Sequence, residues 1–300
     1  KVFMGASTGD MLVDNQDTLD AIFREAPVNI VTHCEDTPTI LKNEKAIISE
    51  YGEDIDATFH PRIRNAESCL KSSQLAYDLA TKHGSNLHIL HLTTADEMKL
   101  FREGDIADKK ITAEVCVHHL FFSEAAYKTH GNQIKCNPSI KTENDRLALI
   151  DAVQKNKIDI IATDHAPHTW EEKQQAYLQA PSGLPLNQHS LLVLLDFYAK
   201  GIFSLEQIVQ KTSHNIAERF QIKDRGYIQE GCFADLAIID LRNETHVTKE
   251  NILYHCNWSP FQNYTFPGMI SHTILNGEIV YQDGRLKDHL PTGSRIEFNR

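Results

Sequence analysis

Five short apolar runs constrain this chain more than any other feature: KVFM (1–4), VNIVTH (28–33), LHILHL (87–92), ITAEVCV (111–117) and IDIIAT (158–163). Their length and their β-branched content mark them as strands. Between them lie segments with apolar residues at helical spacing: DTLDAIFREA (17–26), CLKSSQLAYDLATKHG (69–84), TADEMKLFREG (94–104) and TENDRLALIDAVQKN (142–156). Thr94 and Thr142 stand where N-caps belong, each followed by acidic residues, and Gly84 stands where a C-cap belongs. Strands that are apolar almost throughout, alternating with amphipathic helices, predict a parallel sheet covered by helices.

Downstream of about residue 226 the pattern changes. GYIQEGCFADLAIIDL and MISHTILNGEIVYQDGRL read as short alternating strands, with turns at Gly231, Asn276-Gly277 and Asp283-Gly284. Asn-Gly and Asp-Gly are hairpin signals, so a small β domain is expected over 226–300, after an α/β portion over 1–225. The 300 residues, 41% of them hydrophobic, suffice for a sizeable core. A net charge of −11 argues against nonspecific nucleic-acid binding. No apolar run of about 18 residues predicts a membrane span. The six cysteines, with no C-x-x-C pair, read as reduced thiols of a cytoplasmic protein. KVFM already reads as a strand with no lead-in before it, and the expectation is a sequence that starts partway through a longer protein.

Three of the five early strands end alike. NIVTH ends in His33, HILH in His91 and DIIATD in Asp164. In α/β barrels the strand C-termini share one mouth, where active-site side chains sit. Two imidazoles and a carboxylate brought to one point suit Zn²⁺ or a related divalent ion. Three ligands are too few to close a two-metal shell, and spacing alone goes no further.

TDHAPH (163–168), THCE (32–35), EVCVHHLFF (114–122) and KCNP (135–138) resemble the amidohydrolase superfamily, and within it the dihydroorotases. The stretch 256–285, CNWSPFQNYTFPGMISHTILNGEIVYQDGR, is similar to their C-terminal signature, and EGCFADLAIIDL (230–241) to the segment before it. The resemblance covers nearly the whole chain and implies a (β/α)₈ TIM barrel, with strands four to eight present here, and a small β domain built from both chain ends. The first three strands, with an H-x-H metal pair and a substrate-binding Arg, are then expected upstream of Lys1.

The resemblance also implies roles. Lys1 matches a lysine that becomes carbamylated and bridges two Zn²⁺ ions, and His33 and His91 match ligands of the second of these. Asp164 matches a metal ligand that is also the catalytic proton shuttle: it takes a proton as a metal-activated hydroxide attacks a ring amide and returns it to the departing nitrogen. His168, Asn137, Ser182 and Gly183 match substrate contacts. His165 is expected to orient a ligand; His118 and His119 receive no role. The sequence departs from the family at Val117, where proline is usual, and at Leu186-Asn187-Gln188-His189. The implied activity is the reversible interconversion of N-carbamoyl-L-aspartate and L-dihydroorotate in pyrimidine biosynthesis, with a small-molecule substrate, no nucleic acid or membrane partner, and a homo-oligomer of two or more subunits. Two alternatives stay open: a hydantoinase- or allantoinase-type cyclic amidase, and a non-catalytic scaffold relative.

Overall fold

The computed structural model describes residues 1–5, 11–288 and 293–299. By its backbone contacts the chain divides into two compact units, Lys1–Leu186 and Asn187–Arg300. The first holds a five-stranded parallel sheet: β1 (Val2–Phe3), β2 (Ile30–His33), β3 (Leu87–Ile89), β4 (Ile111–Cys116) and β5 (Ile160–Ala162), in the order β1-β2-β3-β4-β5. Each strand pairs in parallel with the next, as with Val31 opposite His88 and Val115 opposite Ile161. All five lie within the apolar runs picked out above. Leu87, Ile89, Ala113 and Val115 are fully buried, as expected of a sheet covered on both faces.

Helices return the chain between strands. Gln16–Glu25 starts at Asn15, whose side chain accepts from the Thr18 amide. Ala66–His83 starts at Asn65 in the same way and ends at Gly84, in the left-handed conformation that glycine adopts at least cost. Glu143–Gln154 carries a complete capping box between Thr142 and Asp145. Thr37–Tyr51, capped by Asp36 with Pro38 in its first turn, adds a helix that the periodicity did not bring out.

The helix expected over 94–104 is reduced to one turn, Glu97–Lys99. Glu97 fixes where that turn starts. Its buried carboxylate accepts from the Thr93 and Thr94 amides and from the Thr94 and Ser73 hydroxyls. That pins the segment to the neighbouring helix, and Gly104 at φ +128° leaves the helical region.

The second unit contains helices, among them Ser190–Ala199, and a four-stranded antiparallel sheet: β6 (Leu236–His246), β7 (Thr265–Leu275), β8 (Glu278–Gln282) and β9 (Arg285–Leu286). Asn276 and Gly277 have φ +51° and +87°, Asp283 and Gly284 +47° and +86°. Paired positive φ values are what the two-residue hairpin turns read from the sequence require.

Candidate active site

The site is built where the strands of the first unit stop. His33 is the last residue of β2, and His91 and Asp164 follow β3 and β5 by two residues. His91 has φ +37° and Asp164 φ +47°. Non-glycine residues in this region carry strain of order 1 kcal/mol and persist only where the surroundings hold them, which is typical of functional positions.

A cavity of about 240 Å³ opens at these strand ends. Lys1, His33, His91, Asn137, Asp164, Ser182 and Gly183 line it, seven of the eight residues singled out from the sequence. The eighth, His168, is not among the lining residues; its Nε2 donates to the Ser182 carbonyl at 3.1 Å, next to Gly183 on the cavity wall. Lys1 lines the cavity with its ammonium 4.7 Å from the Phe3 ring centroid. His165 Nδ1 accepts from the Leu186 amide, tying the β5 tip to the following loop. His88, three residues before His91, stays out of the cavity wall and bonds to Thr112 and Glu114.

Two imidazoles dominate the geometry. His33 Nδ1 and His91 Nε2 stand 2.9 Å apart and point to one place. Both rings are buried. Burial, then the nearby His33, lowers His91 to about 4 against the pull of Asp164, so its ring is neutral near pH 7 with a lone pair to offer. The outer nitrogens, His33 Nε2 and His91 Nδ1, are buried without a hydrogen-bond partner among the described residues. Glu35 Oε2 lies 3.3 Å from His33 Nε2. Burial alone would push Glu35 up; the adjacent Arg64 guanidinium and His33 bring its carboxyl down to about 2. An ionised carboxylate behind a histidine is the outer partner that orients such a ring toward a cation.

Two converging imidazole nitrogens with a carboxylate and an amine on the same wall form a donor set that fits a divalent metal. A thiol nucleophile fits less well. Burial pushes Cys34 and Cys136 up to about 12, which keeps both protonated. Asn137 Oδ1 is buried and has no hydrogen-bond partner among the described residues, a polar atom fit for a ligand's N–H.

The loop 181–183 is held from behind by two buried lysines. Lys173 Nζ donates to the carbonyls of Lys135, Pro181 and Gly183 at 3.2, 2.9 and 3.0 Å. Lys135 Nζ donates to the carbonyls of Tyr177 and Ala180. Burial lowers the two ammonium groups to about 7 and about 8. Gly183 has φ +142°, and a Cβ there would lie 2.3 Å from the Ala166 carbonyl oxygen, so only glycine fits. Glu35, Arg64 and Lys173 were not singled out from the sequence. The one signal available was the H-x-E spacing of His33 and Glu35.

Residues 11–280 match the model of the amidohydrolase family. The chain is 34% identical over 262 residues to the dihydroorotase of Anoxybacillus flavithermus, covering 85% of this chain and 59% of that protein. It is 33% identical over 296 residues to the dihydroorotase of Pyrococcus horikoshii, covering 99% of this chain and 63% of that protein. It thus spans about three fifths of the length of the curated relatives it matches. Among solved structures, the L-hydantoinase (dihydropyrimidinase) of Arthrobacter aurescens superposes with a TM-score of 0.87 at 24% identity, covering 98% of this chain and 67% of that one. The D-hydantoinase of a Thermus species gives 0.84 at 17% identity, with 95% and 64% covered. These likenesses show the fold: five consecutive parallel strands of a TIM barrel, followed by a small antiparallel sheet.

Proposed function

The chain belongs to the amidohydrolase family, and on that footing we propose that it is the larger part of a dihydroorotase, which interconverts L-dihydroorotate and N-carbamoyl-L-aspartate. The observation that carries the reading is the convergence of His33 Nδ1 and His91 Nε2 at 2.9 Å, in one cavity with Asp164.

The family generally uses a divalent metal, typically zinc. The finer reading is two Zn²⁺ ions per subunit, held by His33, His91, Asp164 and a carbamylated Lys1 together with residues outside this chain. A divalent ion bound there acidifies water and polarises the substrate carbonyl. The protein's own groups do the rest. Asp164, on the cavity wall, takes the proton of the attacking water as its oxygen adds to the ring carbonyl carbon. The ring C–N bond then breaks, and Asp164 delivers that proton to the departing nitrogen. One carboxylate serving as base and then as acid suits a reaction that runs in both directions. Asn137 and the 182–183 loop meet the substrate, and His168 acts through Ser182. Glu35 orients His33. In this reading the barrel portion runs to about residue 225, and the enzyme is a cytoplasmic homo-oligomer.

Assaying the full-length protein against dihydroorotate, hydantoin and allantoin tests the reading. Turnover of dihydroorotate, lost in Asp164→Asn with metal content and fold retained, is expected. Preference for hydantoin or allantoin, or no turnover of any of the three, overturns it.

A further inference from the structure

A second group of ligand-type side chains lies at the tip of β4, between β3 and β5, and is not among the residues that line the cavity. Cys116 ends β4, and His118 and His119 sit in the short helix Val117–Phe121 that follows directly. The strand-to-helix junction folds positions 116, 118 and 119 back onto one another. One ligand atom from each lies within 4.8 Å of the other two, and all three residues are buried. The two rings are 4.0 Å apart between centroids.

What distinguishes this cluster from ordinary core histidines is its unmet bonding. Among the described residues, both nitrogens of His118 are buried with no hydrogen-bond partner, and so is Nδ1 of His119. Leaving such groups buried and unpaired is destabilising. His119 Nε2 lies 3.1 Å from the Pro138 carbonyl oxygen. A carbonyl only accepts, so Nε2 carries the proton and Nδ1 keeps its lone pair. That is the outer hydrogen bond which commonly fixes a metal-ligating imidazole.

We propose that Cys116, His118 and His119 form a second cation site, which takes a borderline-soft divalent ion, Zn²⁺ foremost, with a fourth position left for water. One thiolate and two imidazoles suit zinc and exclude the hard ions Mg²⁺ and Ca²⁺, which favour oxygen ligands. Binding releases the Cys116 thiol proton to solvent and satisfies His119 Nδ1 and one nitrogen of His118. Because His119 also bonds to Pro138, the ion would clamp the β4 tip to the segment that presents Asn137 to the cavity. The site shares no ligand with the set His33, His91, Asp164 and Lys1, and it does not rest on the identity of the substrate.

Sulfur is the discriminating signature, since that set contains none. In the full-length protein loaded with Co²⁺, a thiolate-to-cobalt charge-transfer band in the near ultraviolet is expected. It should vanish in Cys116→Ser, with bound cobalt falling by one ion per chain, and weaken in His118→Gln. X-ray absorption at the zinc edge of the unmodified protein needs no variant and should show a sulfur shell at about 2.3 Å. A shell of nitrogen and oxygen only, a missing charge-transfer band at saturating cobalt, or a band and stoichiometry unchanged in Cys116→Ser would each overturn the proposal.

Discussion

In the parallel sheet β4 buries every residue after its first, whereas in the antiparallel sheet β6 leaves Ile238 45% and Leu241 44% exposed. The ends differ as much as the faces. Strands β2, β3 and β5 lead into ionisable residues, two of them with φ > 0, that crowd one cavity. The turns Asn276-Gly277 and Asp283-Gly284 of the antiparallel sheet lead only into the next strand. A core packed on both faces fixes the strand tips firmly enough to hold strained side chains in place. A sheet half open to solvent does not supply that support, and in it polar groups are used for pairing and turning.

The comparison can be broken most sharply at its acids. In the full-length protein, Asp164→Asn should lower kcat by about 10³-fold, the scale of a lost acid–base group. Asp240→Asn in β6, where among the described residues the carboxylate bonds only to the exposed Arg242 and Asn243, should change stability by less than about 0.5 kcal/mol and leave kcat unaltered. Steady-state kinetics and denaturation midpoints check both, and comparable losses of activity from the two would erase the distinction.

The next effect is in packing. Ile89→Ala, at a fully buried position, should cost about 2–5 kcal/mol in chemical denaturation, while Ile238→Ala should cost below about 1 kcal/mol. Smaller again is the loop latch. Lys173→Met removes three hydrogen bonds to carbonyls and should raise KM for dihydroorotate about tenfold with kcat nearly unchanged, whereas a purely structural lysine would lower the melting temperature without that split. Smallest is a turn. Gly277→Ala meets no atom within 4 Å and carries only the strain of φ +87°, about 1 kcal/mol. Gly183→Ala, which meets the Ala166 carbonyl as well, should cost clearly more.

The strands were legible because burial on both faces leaves an unbroken apolar run, as in IDIIAT, and the hairpins because Asn-Gly and Asp-Gly admit few other backbones. His33, His91 and Asp164 could be read as a set because each follows such a run. Three kinds of feature could not be read. Glu97 ties its turn to Ser73, 24 positions away. Arg64 supports Glu35 across 29 positions, and nothing local to either announces the pairing. Lys173 is defined by backbone carbonyls, which every sequence has, so its partners carry no sequence signal. The 116–119 cluster was visible as letters, but its unmet bonding exists only in three dimensions.

The approach of Gly183 to Ala166 bears on how this cavity can be reshaped. The nearest atom to a Cβ at 183 is the Ala166 carbonyl oxygen, so a replacement at 183 collides with main chain even when neighbouring side chains are trimmed. A variant meant to admit a bulkier ring would have to gain its space at Phe3 or Met11 on the same wall, which offer side chains that can be shortened. Selectivity for substrate size is thereby divided between one rigid margin and one that mutation can tune.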